Sequence, residues 1–158
     1  MKPPKRITKK QLFIKTIEIA QPLIGLSEWK IAVRFPAKMK GAADCQAYPE
    51  YKQAGIRANL TVFKRLSEYE IIQTAIHEMV HCLLWPLVDW TEELCRKNPQ
   101  KLELTRKLEE ATVTDFEKLL TKLCIEAIQT ELVALGYERV TTSFASVQVV
   151  NEPKKRTT

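Results

Sequence analysis

Histidine appears only twice in the 158 residues, at positions 77 and 81, and that scarcity limits what a metal site here can be built from. A three-histidine site is excluded, so a third protein ligand has to be Asp, Glu or Cys. Cysteine is little richer: Cys45, Cys82, Cys95 and Cys124 show no Cys-x-x-Cys spacing, which excludes a cysteine-rich zinc site. Cys82 and Cys124 sit among apolar residues of helical pattern, and the four read as free thiols of a reducing compartment. Only four glycines, among many Leu, Glu, Lys and Ile, point to helix as the main content. No window has the roughly eighteen uncharged apolar residues of a membrane span, and no apolar stretch follows the basic N-terminus. The expected location is the cytoplasm, with no membrane partner. Internal repeats and low-complexity segments are also lacking.

An excess of charge of either sign is missing from the body of the chain. The net charge is +6, of which residues 1–10 carry +5 (Lys2, Lys5, Arg6, Lys9, Lys10) and residues 151–158 carry +2 (Glu152, Lys154, Lys155, Arg156), leaving −1 for residues 11–150. The expected organisation is therefore one domain over 11–150 between flexible basic tails at 1–10 and 151–158. Such tails can touch nucleic acid, but solvated ends are the stronger expectation. Nothing in the pattern speaks to oligomeric state.

Apolar residues at Leu12, Phe13, Ile17, Ile19, Ala20, Leu23 and Ile24 follow a helical period over Lys10–Ile24, with Thr8 as N-cap and Gly25 closing the helix. Trp29 to Phe35 alternates as a half-buried strand that stops at Pro36. Lys38–Ala43 reads as a turn. Asp44–Tyr48 and Tyr51–Phe63 are shorter strand candidates, clearest at Gly55–Leu60. Ser67 and Glu70 form a capping box that opens a helix to about Leu84. Beyond Trp85-Pro86 the chain is expected to turn through the acidic stretch Asp89–Glu93. Asn98-Pro99 then starts one long helix or a helix pair ending at Gly136, with Thr112-Val113-Thr114 as the weak point. Tyr137–Val150 alternates loosely as an added strand or surface arm. The expected fold class is α+β: an N-terminal helix, a small three-stranded sheet, a central helix and a long C-terminal helix or pair.

The central helix carries His77-Glu78-Met79-Val80-His81, the pattern His-Glu-x-x-His. With about 3.6 residues per turn, residues four apart stack on one face, so His77 and His81 address one point as two ligands of a metal ion. Glu78 lies beside that point, placed to take a proton from a water that the metal activates. Ile72, Ala75, Ile76, Met79, Val80 and Leu83 fall on the other side as a packing stripe.

For the third ligand the pattern leaves two neighbours open. Glu109 falls within an apolar stripe of Leu108, Thr112, Phe116, Leu120 and Leu123, where an unpaired carboxylate is costly unless it meets a cation, whereas Glu110 falls off it. That argument favours Glu109, with Asp89 and Asp115 as the next places to look. His77 to His81, followed about thirty residues later by a helical glutamate, resembles the gluzincin group of zinc metallopeptidases. Glu110-Ala111, followed by Phe116 and the Leu119-Leu120 pair, is similar to the thermolysin-type ligand helix, although Thr114 stands where that family has a histidine-orienting aspartate. Residues 29–123 also resemble small phage-encoded metallopeptidases, and a Glu before Ala soon followed by Phe is similar to the ImmA/IrrE-type peptidases of mobile elements.

The resemblance implies a zincin-like minimal metallopeptidase domain with one catalytic Zn²⁺ held by His77, His81 and Glu110. Glu109 is then the alternative ligand, or a hydrogen-bonding partner of a ligand histidine. The expected function is zinc-dependent hydrolysis of a peptide or protein substrate with Glu78 as general base. Substrate is expected along an edge strand containing Gly55, Ile56, Arg57 and Ala58. Tyr48, Tyr51, Tyr69, Tyr137 and Arg139 are the candidates for an oxyanion partner. The alternatives are a non-catalytic zinc-binding module and a nucleic-acid-associated regulatory protein acting through its basic tails. Glu78 is a residue that the first would not need.

Overall fold

Two capping boxes set the helical frame. At the start of α1 (Lys9–Leu23), the Gln11 N–H donates to the Thr8 hydroxyl at 3.2 Å and the Thr8 N–H donates to the Gln11 side chain at 3.1 Å. Ser67 and Glu70 do the same for α3 (Glu68–Cys95), at 3.2 and 2.6 Å. Each box satisfies two of the N–H groups that a helix start leaves orphaned. Gly25 and Gly136, just beyond α1 and α4 (Pro99–Ala134), take φ of 83° and 82°, the left-handed closure that a residue with a Cβ adopts poorly.

The computed structural model describes residues 3–141 and is α+β: between α1 and α3 lie β1 (Lys30–Arg34), β2 (Ala43–Tyr48), β3 (Gln53–Ala58) and the short α2 (Leu60–Phe63). The sheet order is β1-β3-β2, with β1 parallel and β2 antiparallel to β3. The segment expected as the sheet edge, Gly55 to Ala58, is thus the central strand. Its Ile56 and Ala58 are fully buried, because a strand paired on both sides is where a short sheet hides its most apolar residues. The edge strand packed against α3 is β2. The strand expected over Tyr51–Phe63 also stops early: the Asn59 side chain accepts from the N–H groups of Thr61 and Val62 and turns the chain into α2.

Helix α3 runs through Pro86 to Cys95, well past Leu84, and the acidic stretch Asp89–Glu93 is helical rather than a turn. A proline removes one backbone bond, and here the packing of α3 against α4 outweighs that loss. Helix α4 is single. The Thr112 and Thr114 hydroxyls donate to the carbonyls of Leu108 and Glu110 at 2.7 and 2.8 Å, and Val113 between them is fully buried, so the β-branched run is absorbed without a break. By length and composition α3 is apolar enough to cross a membrane, and half of its most apolar window is buried within the fold.

The core lies between the inner face of the sheet, α1 and the first half of α3. Phe13 and Phe63 pack with ring centroids 5.0 Å apart, beside fully buried Ile56, Ile72, Ile76 and Met79. Helix α4 adds Val113, Cys124, Ile128 and Leu132. The stripe expected to face inward on α4 does not: Leu108, Phe116 and Leu123 are 59%, 46% and 67% exposed. Helix α4 carries apolar residues on two faces, and periodicity alone cannot say which one packs.

Residues 5–10 are part of the domain rather than a flexible tail. The Lys5 N–H donates to Gly136 O, the Glu138 N–H donates to Lys5 O, and Ile7 is buried. The Lys9 ammonium donates to the carbonyls of Phe63 and Lys64, at 3.0 Å each. Tyr137 makes an isolated parallel bridge with Lys5. Val140 is buried and its carbonyl accepts from the Gln129 amide at 2.9 Å, while residues 142–150 of the expected Tyr137–Val150 arm and the tail at 151–158 lie outside the described residues.

Candidate metal centre

Helices α3 and α4 run side by side, and the polar residues of the site project from their shared seam. His77 and His81, one turn apart on α3, bring their Nε2 atoms to 3.3 Å from each other. Glu110 on α4 faces both, with Oε2 3.7 Å from His77 Nε2 and Oε1 3.7 Å from His81 Nε2. These three donors converge within 4.8 Å and can hold a metal ion.

The opposite ring nitrogens are occupied. His81 Nδ1 lies 3.1 Å from Glu109 Oε1, and His77 Nδ1 lies 3.2 Å from Glu117 Oε2. Each carboxylate fixes a tautomer that leaves Nε2 free to ligate, and holds the ring in place. The Gln73 amide donates to Glu117 at 3.0 Å and holds the carboxylate in turn. The two adjacent glutamates therefore divide the work, Glu110 at the donor cluster and Glu109 behind His81. The hydrogen bond to His81 accounts for the position of Glu109, whose side chain is 14% exposed, while Leu108, Phe116 and Leu123 of the stripe named for it are largely exposed. Asp89 and Asp115 are not in the donor cluster. Asp89 lines an adjoining cavity that shares Trp85, Glu109 and Glu110 with the site, and Asp115 pairs with Lys118 at 3.3 Å.

Sequence reasoning missed Glu117. Its signal was present: seven residues after Glu110 is about two turns, so Glu117 returns to the same face of α4. It also missed Asp44 and Cys45 of β2, which sit with Ala43 in the wall opposite α3. Two adjoining cavities of about 420 and 350 Å³ share Ala43, His77 and Glu78 and form one cleft along the edge strand. Tyr48, Tyr51, Tyr69, Tyr137 and Arg139 are not among its lining residues. Gly55, Ile56, Arg57 and Ala58 do not line it either, and Arg57 is held by Asp44 through two hydrogen bonds of 2.7 Å. All four cysteines are free, and Cys45 and Cys82 touch across the cleft wall with sulfurs 3.4 Å apart. That contact, together with burial, holds the Cys45 thiol far above its ordinary range.

Glu78 lines both cavities and is only 5% exposed. Burial pushes its carboxyl up to about 7, against the lowering influence of His77. His77 is raised above its ordinary 6.5, chiefly by its hydrogen bond to Glu117. Both shifts act on stability with one sign in the metal-free protein. Glu78 ionises at about 4.5 when unfolded and about 7 when folded, so the folded state holds the extra proton between those values and loses stability as pH rises through that window. His77 contributes stability that is complete below 6.5 and lost as pH rises through its raised folded value. Glu70, held low by the Ser67 cap, acts only below that window. Chelator-treated protein is therefore expected to unfold at lower urea concentration at pH 7.5 than at pH 5. The Glu78 contribution is on the order of 3 kcal/mol, and Glu78→Gln should remove most of the difference. Greater stability at pH 7.5 would contradict the burial argument.

No family model matches the chain, and neither a curated protein nor a solved structure matches it.

Proposed function

We propose that this protein is a zinc-dependent peptidase of zincin-like architecture. One observation carries the reading: the two Nε2 atoms and the Glu110 carboxylate converge on one point beside the buried, cleft-lining carboxyl of Glu78. The spacing of the histidine pair fits a tetrahedral ion such as zinc. Two nitrogen ligands at about 2.05 Å, separated by a tetrahedral angle, lie roughly 3.3 Å apart, and that is the separation of His77 Nε2 and His81 Nε2. Two neutral imidazoles and one carboxylate form the three-ligand set of a catalytic site that keeps one position open.

A zinc ion bound there supplies Lewis acidity toward a carbonyl oxygen and brings the pKa of water toward neutrality. The remaining work falls to side chains. Glu78, raised by burial, sits near the range in which a carboxyl can both accept and return a proton at neutral pH. Glu109 and Glu117 hold the imidazoles against rotation. The free edge of β2, which reaches the cleft through Ala43, Asp44 and Cys45, is where an extended peptide would add as a strand.

The test is elemental analysis alongside hydrolysis of a mixed quenched-fluorescent peptide library. One zinc per chain, and hydrolysis that stops with a chelator and returns with zinc, is the expected outcome. Stoichiometric zinc without hydrolysis of any peptide would leave a non-catalytic zinc module and remove the peptidase reading.

A further inference from the structure

The core stripe of α3 does not end where the core ends. Ile72, Ile76, Met79, Leu83, Leu87, Trp90 and Leu94 keep the three- and four-residue spacing of one helix face along the whole element. Ile72, Ile76 and Met79 are fully buried, whereas Leu83, Leu87, Trp90 and Leu94 are 37%, 57%, 62% and 66% exposed. Helix α4 extends this face with Leu104 and Leu108, 57% and 59% exposed. Leu87 and Leu108 line one groove of about 210 Å³ between the helices, so both contribute to a single surface. At about 100° per residue, that surface is centred roughly 130° around α3 from His77 and His81, with Glu109 at the edge of its groove.

We propose that this face is the interface of a homodimer, in which the α3–α4 hairpins of two copies pack back to back as an antiparallel four-helix bundle and leave both metal clefts open. Area is the first argument. At their exposed fractions the six side chains from Leu83 to Leu108 offer on the order of 600 Å² of apolar surface, most of the roughly 800 Å² per partner of a standard interface. That is at the upper limit of what a monomer usually leaves bare. Geometry is the second. An antiparallel helix pair with such a face is half a bundle, and a two-fold axis supplies the other half from an identical surface. The chain's own residues 142–158 are the competing occupant: they follow Thr141, whose N–H donates to Glu68 at the start of α3, and Trp90 is about 33 Å along the helix from there, within the roughly 55 Å that such a segment can span.

Sedimentation velocity on the full chain tests the proposal independently of any activity. The expected mass at micromolar concentration is twice 18.2 kDa. Trp90→Glu with Leu94→Glu should weaken association by about a hundredfold or more, with helical circular dichroism and zinc content unchanged. Leu87→Lys, a single exposed substitution, gives the same readout if the double variant misfolds. A wild-type chain that stays monomeric at 100 µM, as a roughly estimated ceiling for an interface of this size, overturns the proposal. So does a dimer that none of these substitutions weakens. A wild-type monomer that dimerises only once residues 142–158 are removed would assign the face to that segment. A monomer that floats with phospholipid vesicles would assign it to a lipid surface. Either result also overturns the dimer.

Discussion

Glu78→Gln is expected to keep its zinc and lose its hydrolysis. The amide has the size and much of the hydrogen-bonding capacity of the carboxylate, so the packing around a side chain only 5% exposed is preserved. What it lacks is a proton that can be taken up and returned. General acid–base assistance is worth roughly 10²- to 10⁴-fold, and the loss should fall on kcat with KM little changed, because the proposed role of the side chain is at the reacting groups rather than at distant parts of the peptide. Zinc content by elemental analysis is the control. Wild-type turnover in this variant would end the proposed role of Glu78.

The second large effect separates the three carboxylates of α4. Glu110→Ala removes one of three donors and should leave the purified protein without zinc and without activity. Glu109→Gln and Glu117→Gln remove the groups behind His81 and His77, where the expected penalty is roughly 10- to 100-fold in zinc affinity. Activity should largely return at saturating zinc in these two, but not in Glu110→Ala. Competition titration with a fluorescent zinc chelator measures all three on one scale. If Glu109→Ala empties the site while Glu110→Ala retains zinc, the donor has been assigned to the wrong neighbour.

Much of this was legible in the residues. Thr8 with Gln11 and Ser67 with Glu70 mark two helix starts by local hydrogen bonding alone, and Gly25 and Gly136 mark two stops through backbone freedom. His77, Glu78 and His81 could be placed on one helix face because their spacing is a property of the helix itself. Where partners decide, the pattern failed. Pro86 looks like a terminator until α4 is packed beside it, and Gly55 to Ala58 look like an edge until β1 pairs in parallel on one side and β2 on the other. The inward stripe on α4 was misjudged for the same reason. Leu108, Phe116 and Leu123 are as periodic as Val113, Cys124 and Ile128, and only tertiary contact separates them.

All three donors, and both carboxylates behind the histidines, lie between His77 and Glu117 on two helices that follow each other directly in the chain. The consequence concerns where the site can come apart. All five side chains ride on one helical hairpin, so a local opening of the sheet leaves their contacts in place, whereas separating α3 from α4 breaks the contacts between the two histidines and the three carboxylates together. An ion held by the donor cluster would therefore oppose that separation by mass action, and its effect would be felt along the α3–α4 seam before anywhere else.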